Sequence, residues 1–174
     1  MLYYEKKARK KGFRFIVGID EAGRGPLAGP VVAGAVWLKK DAKFQSRIDD
    51  SKKLSPRQRD AAFLELITKS HFEIGIVDEK VIDSSNILVA TRLAMEKAVI
   101  ALLTRVTRQG LVTANNKVCI LVDGNMPIDV PGCSITTVVK GDAKSMSIAA
   151  ASIAAKVKRD RIMISYDNIW PQYG

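Results

Sequence analysis

Three apolar segments of this chain run into acid: residues 13–19 into Asp20 and Glu21, residues 118–122 into Asp123, and residues 135–139, through Lys140 and Gly141, into Asp142. Acids are depleted inside strands, and a single one at a strand end is ordinarily a solvated turn residue. Three such ends in one small sheet are harder to treat as turns. In an open α/β sheet the carboxyl ends of neighbouring parallel strands converge on one crevice. Four carboxylates gathered there would repel and raise one another's pKa unless a cation neutralised them. All-oxygen ligands select hard ions, so the expected cofactor is Mg²⁺ or Mn²⁺. Two such ions about 3.5–4 Å apart can position and activate a water and stabilise a leaving oxygen, with no side-chain nucleophile. His71 is the one histidine, so a histidine-based hydrolase lacks its residues. The 28 Lys and Arg against 18 Asp and Glu leave a net charge of +10. That balance favours a polyanionic partner, nucleic acid first and an acidic membrane surface second. Carboxylates, a divalent ion and a basic surface together suggest metal-dependent phosphodiester hydrolysis.

The elements that must position these acids are legible in outline. Residues 13–19 and 31–38 read as strands, separated by a segment rich in Gly and Pro. A connection this short suits an antiparallel pair better than a parallel one. Residues 39–53 read as an exposed basic loop. Ser55 caps and Pro56 opens a helix reaching about Lys69, with Ala62, Phe63, Leu66 and Ile67 on its buried face. Residues 72–77 alternate like a strand. Ser84 or Ser85 can cap a long helix whose apolar stripe is Ile87, Leu88, Leu93, Ala94, Ala98, Ile100 and Ala101. Gly110, Asn115 and Asn116 mark a loop, residues 118–122 and 135–139 are strands, and an alanine-rich helix runs from Ser145 to about Ile164. Strands before and between helices argue an α/β fold, a mixed sheet with helices packed on it.

With 174 residues, 47% of them hydrophobic and 26% charged, the chain has the size and composition of one domain, spanning 1–174. No apolar run approaches the roughly 18 residues of a membrane span, and residues 1–11 do not form a secretory signal. Cys119 and Cys133 form no CxxC pair and read as buried thiols of a cytoplasmic protein. Met95 and Met163 read as core residues, His71 as a boundary residue, and Asp49, Asp50, Asp78, Glu79 and Asp83 as loop residues outside the site. No extended exposed apolar stripe is evident, so a monomer is expected.

The thirteen residues Gly18-Ile-Asp-Glu-Ala-Gly-Arg-Gly-Pro-Leu-Ala-Gly-Pro30 closely resemble the signature segment of bacterial type 2 ribonucleases H, the ribonuclease HII family. The resemblance continues in order through Asp50-Ser-Lys-Lys-Leu-Ser55, Asn86-Ile-Leu88 with Ala90-Thr91 and Ala94-Met95, Val122-Asp-Gly124 and Lys140-Gly-Asp-Ala-Lys-Ser145. It closes on Ile148-Ala-Ala-Ala-Ser-Ile153, Ala155-Lys156-Val157 and Arg159-Asp160. It covers about residues 14 to 174.

The resemblance implies a ribonuclease H-like fold, a mixed sheet flanked by helices with a helical carboxy-terminal part. It implies that Asp20, Glu21, Asp123 and Asp142 are the catalytic, metal-binding acids, with Asp142 ligating an ion, capping the following helix, or both. Gly23, Arg24 and Gly25 resemble the family's ribonucleotide-sensing loop, whose glycines let backbone groups approach the 2′-hydroxyl that distinguishes RNA from DNA. Arg24 contacts phosphate or is a solvated turn residue. Lys52 and Lys53 resemble a substrate-contacting segment or form a solvated face. Lys144 and Ser145, at a helix N-terminus, bind phosphate or cap the helix. Lys156, Lys158, Arg159 and Arg161 are a DNA track or the wet face of their helix. The implied partners are RNA–DNA hybrids and DNA duplexes containing ribonucleotides. The implied activity cuts the RNA strand, including 5′ to one embedded ribonucleotide, leaving a 3′-hydroxyl and a 5′-phosphate, and serves to remove ribonucleotides and primer remnants. The family chain continues past the Pro-Gln-Tyr-Gly segment into a tail with another tyrosine, a role Tyr173 does not match. The rival expectation is therefore a catalytically impaired RNA–DNA duplex-binding module.

Overall fold

The run Phe15-Ile-Val-Gly-Ile-Asp-Glu-Ala22 is one strand, β1, and the acid pair lies inside it. In the computed structural model, which describes residues 1–113 and 115–173, β1 pairs antiparallel with β2 (Val31–Leu38), and the ladder runs on to Ala22 opposite Val32. That backbone pairing carries β1 three residues past the end of its apolar run. On the other edge β1 lies parallel to β4 (Val118–Asp123), and β4 parallel to β5 (Cys133–Val138). With β3 (Ser70–Val77) outside β2, the five-stranded mixed sheet has the order β3-β2-β1-β4-β5. The antiparallel opening pair and the parallel acid-ended strands match what the sequence implies.

Alternate residues of β1 serve the two faces. Val17 and Ile19 pack with Ala94, Met95, Ala98 and Leu102 of α4 (Ile87–Arg108). Ile16 packs against Ile148, near the start of α5 (Met146–Ile169). Gly18 shows how closely α5 lies on the sheet: a Cβ there would sit 2.1 Å from the Ser147 carbonyl carbon. Gly75 of β3 does the same for α4, its Cβ position being 2.0 Å from the Ala94 oxygen. That contact reverses part of the expected stripe. The small residues Ala90, Ala94 and Ala98 face the sheet, while Leu88 and Ile100 are about half exposed at 52% and 51%. Ile67, expected in the core, is likewise 51% exposed on α2 (Pro56–Lys69), whose buried face is Ala62, Phe63 and Leu66.

Local hydrogen bonding sets the helix ends. Ser55 and Gln58 form a capping box at α2. α4 is capped by Asn86, whose side chain accepts from the Val89 N–H at 2.9 Å. Ser84 and Ser85, expected as that cap, instead end a short helix, α3 (Glu79–Ser84), which Asp78 caps. α1 (Tyr3–Lys10) was not expected, because its eight residues carry five charges and no apolar stripe. It is held by tertiary contacts. Buried Glu5 accepts from the hydroxyls of Ser145 and Ser147 at 2.6 and 2.8 Å and from the Ser147 N–H at 2.9 Å. Among the described residues, no helix is long and apolar enough to cross a membrane.

Placing a methyl at Gly18 must push α5 off the sheet, and such overpacking typically costs about 1–3 kcal/mol. Gly18→Ala is expected to lose at least that much stability in urea unfolding. An unchanged midpoint would show that the helix can give way.

Candidate functional site

Parallel pairing brings the acids together. The β1–β4 ladder ends at Ile19 opposite Val122, and Asp20 and Asp123 are the next residues on their strands. Asp123 is in turn opposite Val138 of β5, after which Lys140, in the left-handed region at φ 55°, turns the chain into the single helical turn Gly141–Ala143. That turn carries Asp142. One carboxylate oxygen of Asp123 accepts from the Gly141 N–H at 2.6 Å, tying the end of β4 to the turn after β5. Asp20 accepts from the Glu21 N–H at 2.8 Å, and the Arg24 guanidinium stands 3.6 Å from Glu21. α5 is capped by Ser145, which accepts from Ile148, so Asp142 is not its cap. Among the described residues, Asp142 accepts only from the adjacent Ala143 N–H, at 2.8 Å.

Burial and crowding push these groups up. Asp20 is held well above the ordinary carboxylate range, first by burial and then by the charges of Glu21 and Asp123. Glu21 is raised by burial and by Asp123, with Arg24 opposing. Asp142 is raised by burial, then by Asp123 and Asp50. An all-oxygen cluster whose members hinder one another's ionisation has the donor chemistry of a hard divalent cation site. In this structure Glu21 is turned to Arg24 and Asp123 to Gly141. Among the described residues, no three carboxylate, imidazole or thiol groups close on a single ion position.

The other expected site residues divide. Gly23, with φ 103°, and exposed Arg24 and Gly25 form a loop directly after the acid pair, at the same end of the sheet. Lys52 is exposed on the single helical turn Ser51–Lys53, where its charge opposes the upward shift of Asp142 without pairing with it among the described residues. Lys53 turns away, 3.4 Å from Asp49. Lys144 is exposed and donates to the Val139 carbonyl at 2.7 Å. Ser145 is fully buried: its hydroxyl is donated to Glu5, so the expected phosphate contact is replaced by a structural one. The basic residues of α5 do not form a continuous track. Lys156 pairs with Asp160 at 2.5 Å, Arg161 lies 3.7 Å from Asp60, Arg159 is buried, and Lys158 is exposed. Met163, expected in the core, is only partly buried, beneath Gly29. Residues 171–173 form one helical turn, and Gly174 lies outside the described residues.

Three neighbours of the site were not singled out as site residues from the sequence. Asp50, read as a plain loop acid, accepts from the Lys52 N–H at 2.9 Å, and its charge adds to the upward shift of Asp142. Ser152, inside an alanine run, lies beside Asp20 and donates to Ser51 at 2.9 Å. Arg59 donates to the carbonyls of Ser51 and Leu54 at 3.0 and 2.6 Å, which holds the turn bearing Lys52.

A carboxyl whose pKa is raised by folding binds its proton more tightly in the native state, so its contribution to stability is full below the unfolded value and is lost as pH rises through the folded one. For Asp20 the loss begins above about pH 3.9. In EDTA, the melting temperature of Asp20→Asn relative to the parent chain should therefore rise steadily from acid to neutral pH. A flat or falling difference would show that Asp20 is not strained in the native state. A divalent ion added at neutral pH should raise the parent's melting temperature and leave that of Asp20→Asn nearly unmoved.

Comparison with known proteins gives the family. A family model described as ribonuclease HII matches residues 17–174. A ribonuclease HII from Ruminiclostridium cellulolyticum is 47% identical over 175 residues, covering 100% of this chain and 64% of that protein. One from Geobacter sulfurreducens is 47% identical over 172 residues, covering 98% of this chain and 73% of that protein. The chain thus spans roughly two thirds of the length of these relatives. Among solved structures, ribonuclease H2 from Pyrococcus horikoshii superposes with a TM-score of 0.65 at 26% identity, over 92% of this chain and 79% of that one. With Asp20, Glu21 and Asp123 at the carboxyl ends of β1 and β4, and a matching sequence over nearly its whole length, the chain belongs to the ribonuclease HII family.

Proposed function

We propose that this chain is the catalytic part of an endonuclease that hydrolyses the RNA strand of RNA–DNA hybrids and cuts 5′ to a single ribonucleotide embedded in duplex DNA. The observation that carries the reading is the placement of Asp20, Glu21 and Asp123 at the neighbouring ends of β1 and β4, with Asp142 in the turn that Asp123 holds, beside the Gly23 loop and in a chain of net charge +10. Asp20, Glu21 and Asp123 would hold Mg²⁺ or Mn²⁺, with Asp142 contributing from the turn after β5. When bound, the ions supply charge neutralisation and activation of the attacking water for in-line displacement, leaving a 3′-hydroxyl and a 5′-phosphate. The chain's own work is positional. The Asp123–Gly141 hydrogen bond holds the two acid-bearing segments at one spacing. Backbone groups of Gly23 and Gly25 approach the 2′-hydroxyl, Arg24 and Lys52 neutralise phosphates, and the basic surface supplies salt-dependent affinity. Such an activity, in a cytoplasmic monomer, fits removal of misincorporated ribonucleotides and of primer remnants.

The test is cleavage of labelled DNA duplex carrying one ribonucleotide, beside an RNA–DNA hybrid and an all-DNA duplex, in Mg²⁺ or Mn²⁺ with an EDTA control. Metal-dependent cuts at the 5′ side of the ribonucleotide are expected, with the all-DNA duplex intact. Loss of even an indirect metal partner commonly lowers activity by about 10–100-fold, so Asp123→Asn should lose at least about 100-fold in kcat. Normal turnover by Asp123→Asn would sink the assignment. Tight, salt-sensitive hybrid binding by the parent chain without cleavage would favour the duplex-binding rival.

A further inference from the structure

The loop from Gly23 to Pro30 contains three glycines and two prolines, and among the described residues it makes no backbone hydrogen bond of its own between residues 23 and 29. Such a segment should fluctuate, yet reading a 2′-hydroxyl with backbone atoms requires placement to roughly 0.5 Å. The structure supplies an anchor from below. Arg159 of α5, 131 residues away in sequence, is 7% exposed and donates to the Ala28 carbonyl at 2.8 Å and to the Pro30 carbonyl at 3.1 Å. The loop rests on it without a gap. A Cβ on Gly23 would lie 2.5 Å from Arg159 Nε, and one on Gly29 would lie 2.4 Å from Met163 Sδ and 3.4 Å from the Arg159 guanidinium.

A guanidinium is costly to bury, and burying it makes sense only where its planar donors are used. Arg159 makes no ion pair within 4 Å among the described residues; its hydrogen bonds go to the two loop carbonyls. Its neighbour Asp160 reaches 3.6 Å from Arg59, which holds the Ser51 and Leu54 carbonyls. Consecutive residues of α5 thus lead to the two loops that flank the acids.

We propose that Arg159 is a positioning residue for ribonucleotide recognition: it fixes the Gly23–Gly25 backbone at the distance the 2′-hydroxyl requires, without touching substrate. This rests on the functional reading above. A duplex with one ribonucleotide offers one 2′-hydroxyl in one register and depends fully on the loop. A continuous RNA strand offers a 2′-hydroxyl at every register and tolerates a looser loop.

The test compares the parent chain with Arg159→Met, which keeps the apolar stem against Met163, and Arg159→Lys, which can reach one carbonyl but not both. On the single-ribonucleotide duplex, kcat/KM should fall about tenfold or more for Arg159→Met, and less than about threefold on the continuous hybrid, with Arg159→Lys between. Equal falls on both substrates, or none on either, would overturn the specificity role. The same samples are treated briefly with trypsin, which cuts after exposed Arg24 only when the loop opens. Release of the peptide ending at Arg24 should be about tenfold faster for Arg159→Met, with other sites unchanged. An unchanged rate would overturn the clamp. Should Arg159→Met fail to fold, Arg159→Lys carries both measurements. A parent chain that cuts neither duplex would overturn the functional reading and the specificity role with it, while the tryptic result still upholds or overturns the clamp.

Discussion

The molecule is organised by the contact between α5 and the sheet at two glycines. Side chains standing between them normally hold a helix off a sheet. At Gly18 and Gly34 nothing does: Cβ positions there would be 2.1 Å from the Ser147 carbonyl carbon and 2.6 Å from the Ala151 oxygen. The helix answers with small residues, Ala149, Ala150, Ala151, Ala154 and Ala155, all fully buried. Everything the site needs from α5 follows from that approach. Ser152 comes within reach of Asp20 and Ser51, Arg159 comes beneath the loop after β1, and the first turn meets Glu5. The same helix is therefore core packing on one turn and site support on the next.

Against that rigid frame the acids store electrostatic strain. β1 and β4 end side by side, and the backbone offers Asp20 and Asp123 one N–H each. One hydrogen bond does not offset burial beside like charges, so Asp20 is raised well above the ordinary carboxylate range. Lys52 and Arg24 relieve the rim of the cluster but not its centre, because Arg24 is half exposed and pairs with Glu21 while Lys52 acts on Asp142. Such an all-oxygen cluster has the donor chemistry of a compact, strongly charged cation site. A pair of lysines on flexible stems could not enter so closely.

Legibility in the sequence followed the range of the interactions. Elements governed by short-range rules were readable to within a residue or two: the Ser55 cap, the Pro56 start, the strand 31–38 and the Ser145 cap of α5. Misreadings arose where a distant partner decided. α1 has no stripe of its own and is held by Ser145 and Ser147. Leu88 and Ile100 look like core residues, yet Gly75 admits only the alanine face of α4. Arg159 reads as part of a DNA track or of a wet helix face and is a buried structural donor, and Ser145, read as a phosphate contact or a cap, is a buried cap that also bonds Glu5.

What the sequence determined by itself is which residues carry the chemistry and on what kind of element. Acids terminating apolar β-branched runs are local patterns, and so are glycines in a turn and a net positive charge. Only the tertiary structure decided what those residues face. The parallel ladder sets Asp20 beside Asp123, and the close seat of α5 turns Arg159 inward and Lys158 outward, one residue apart. The physical reason is that pairing and packing join residues separated by a hundred positions or more, through contacts that leave no period in the sequence between them.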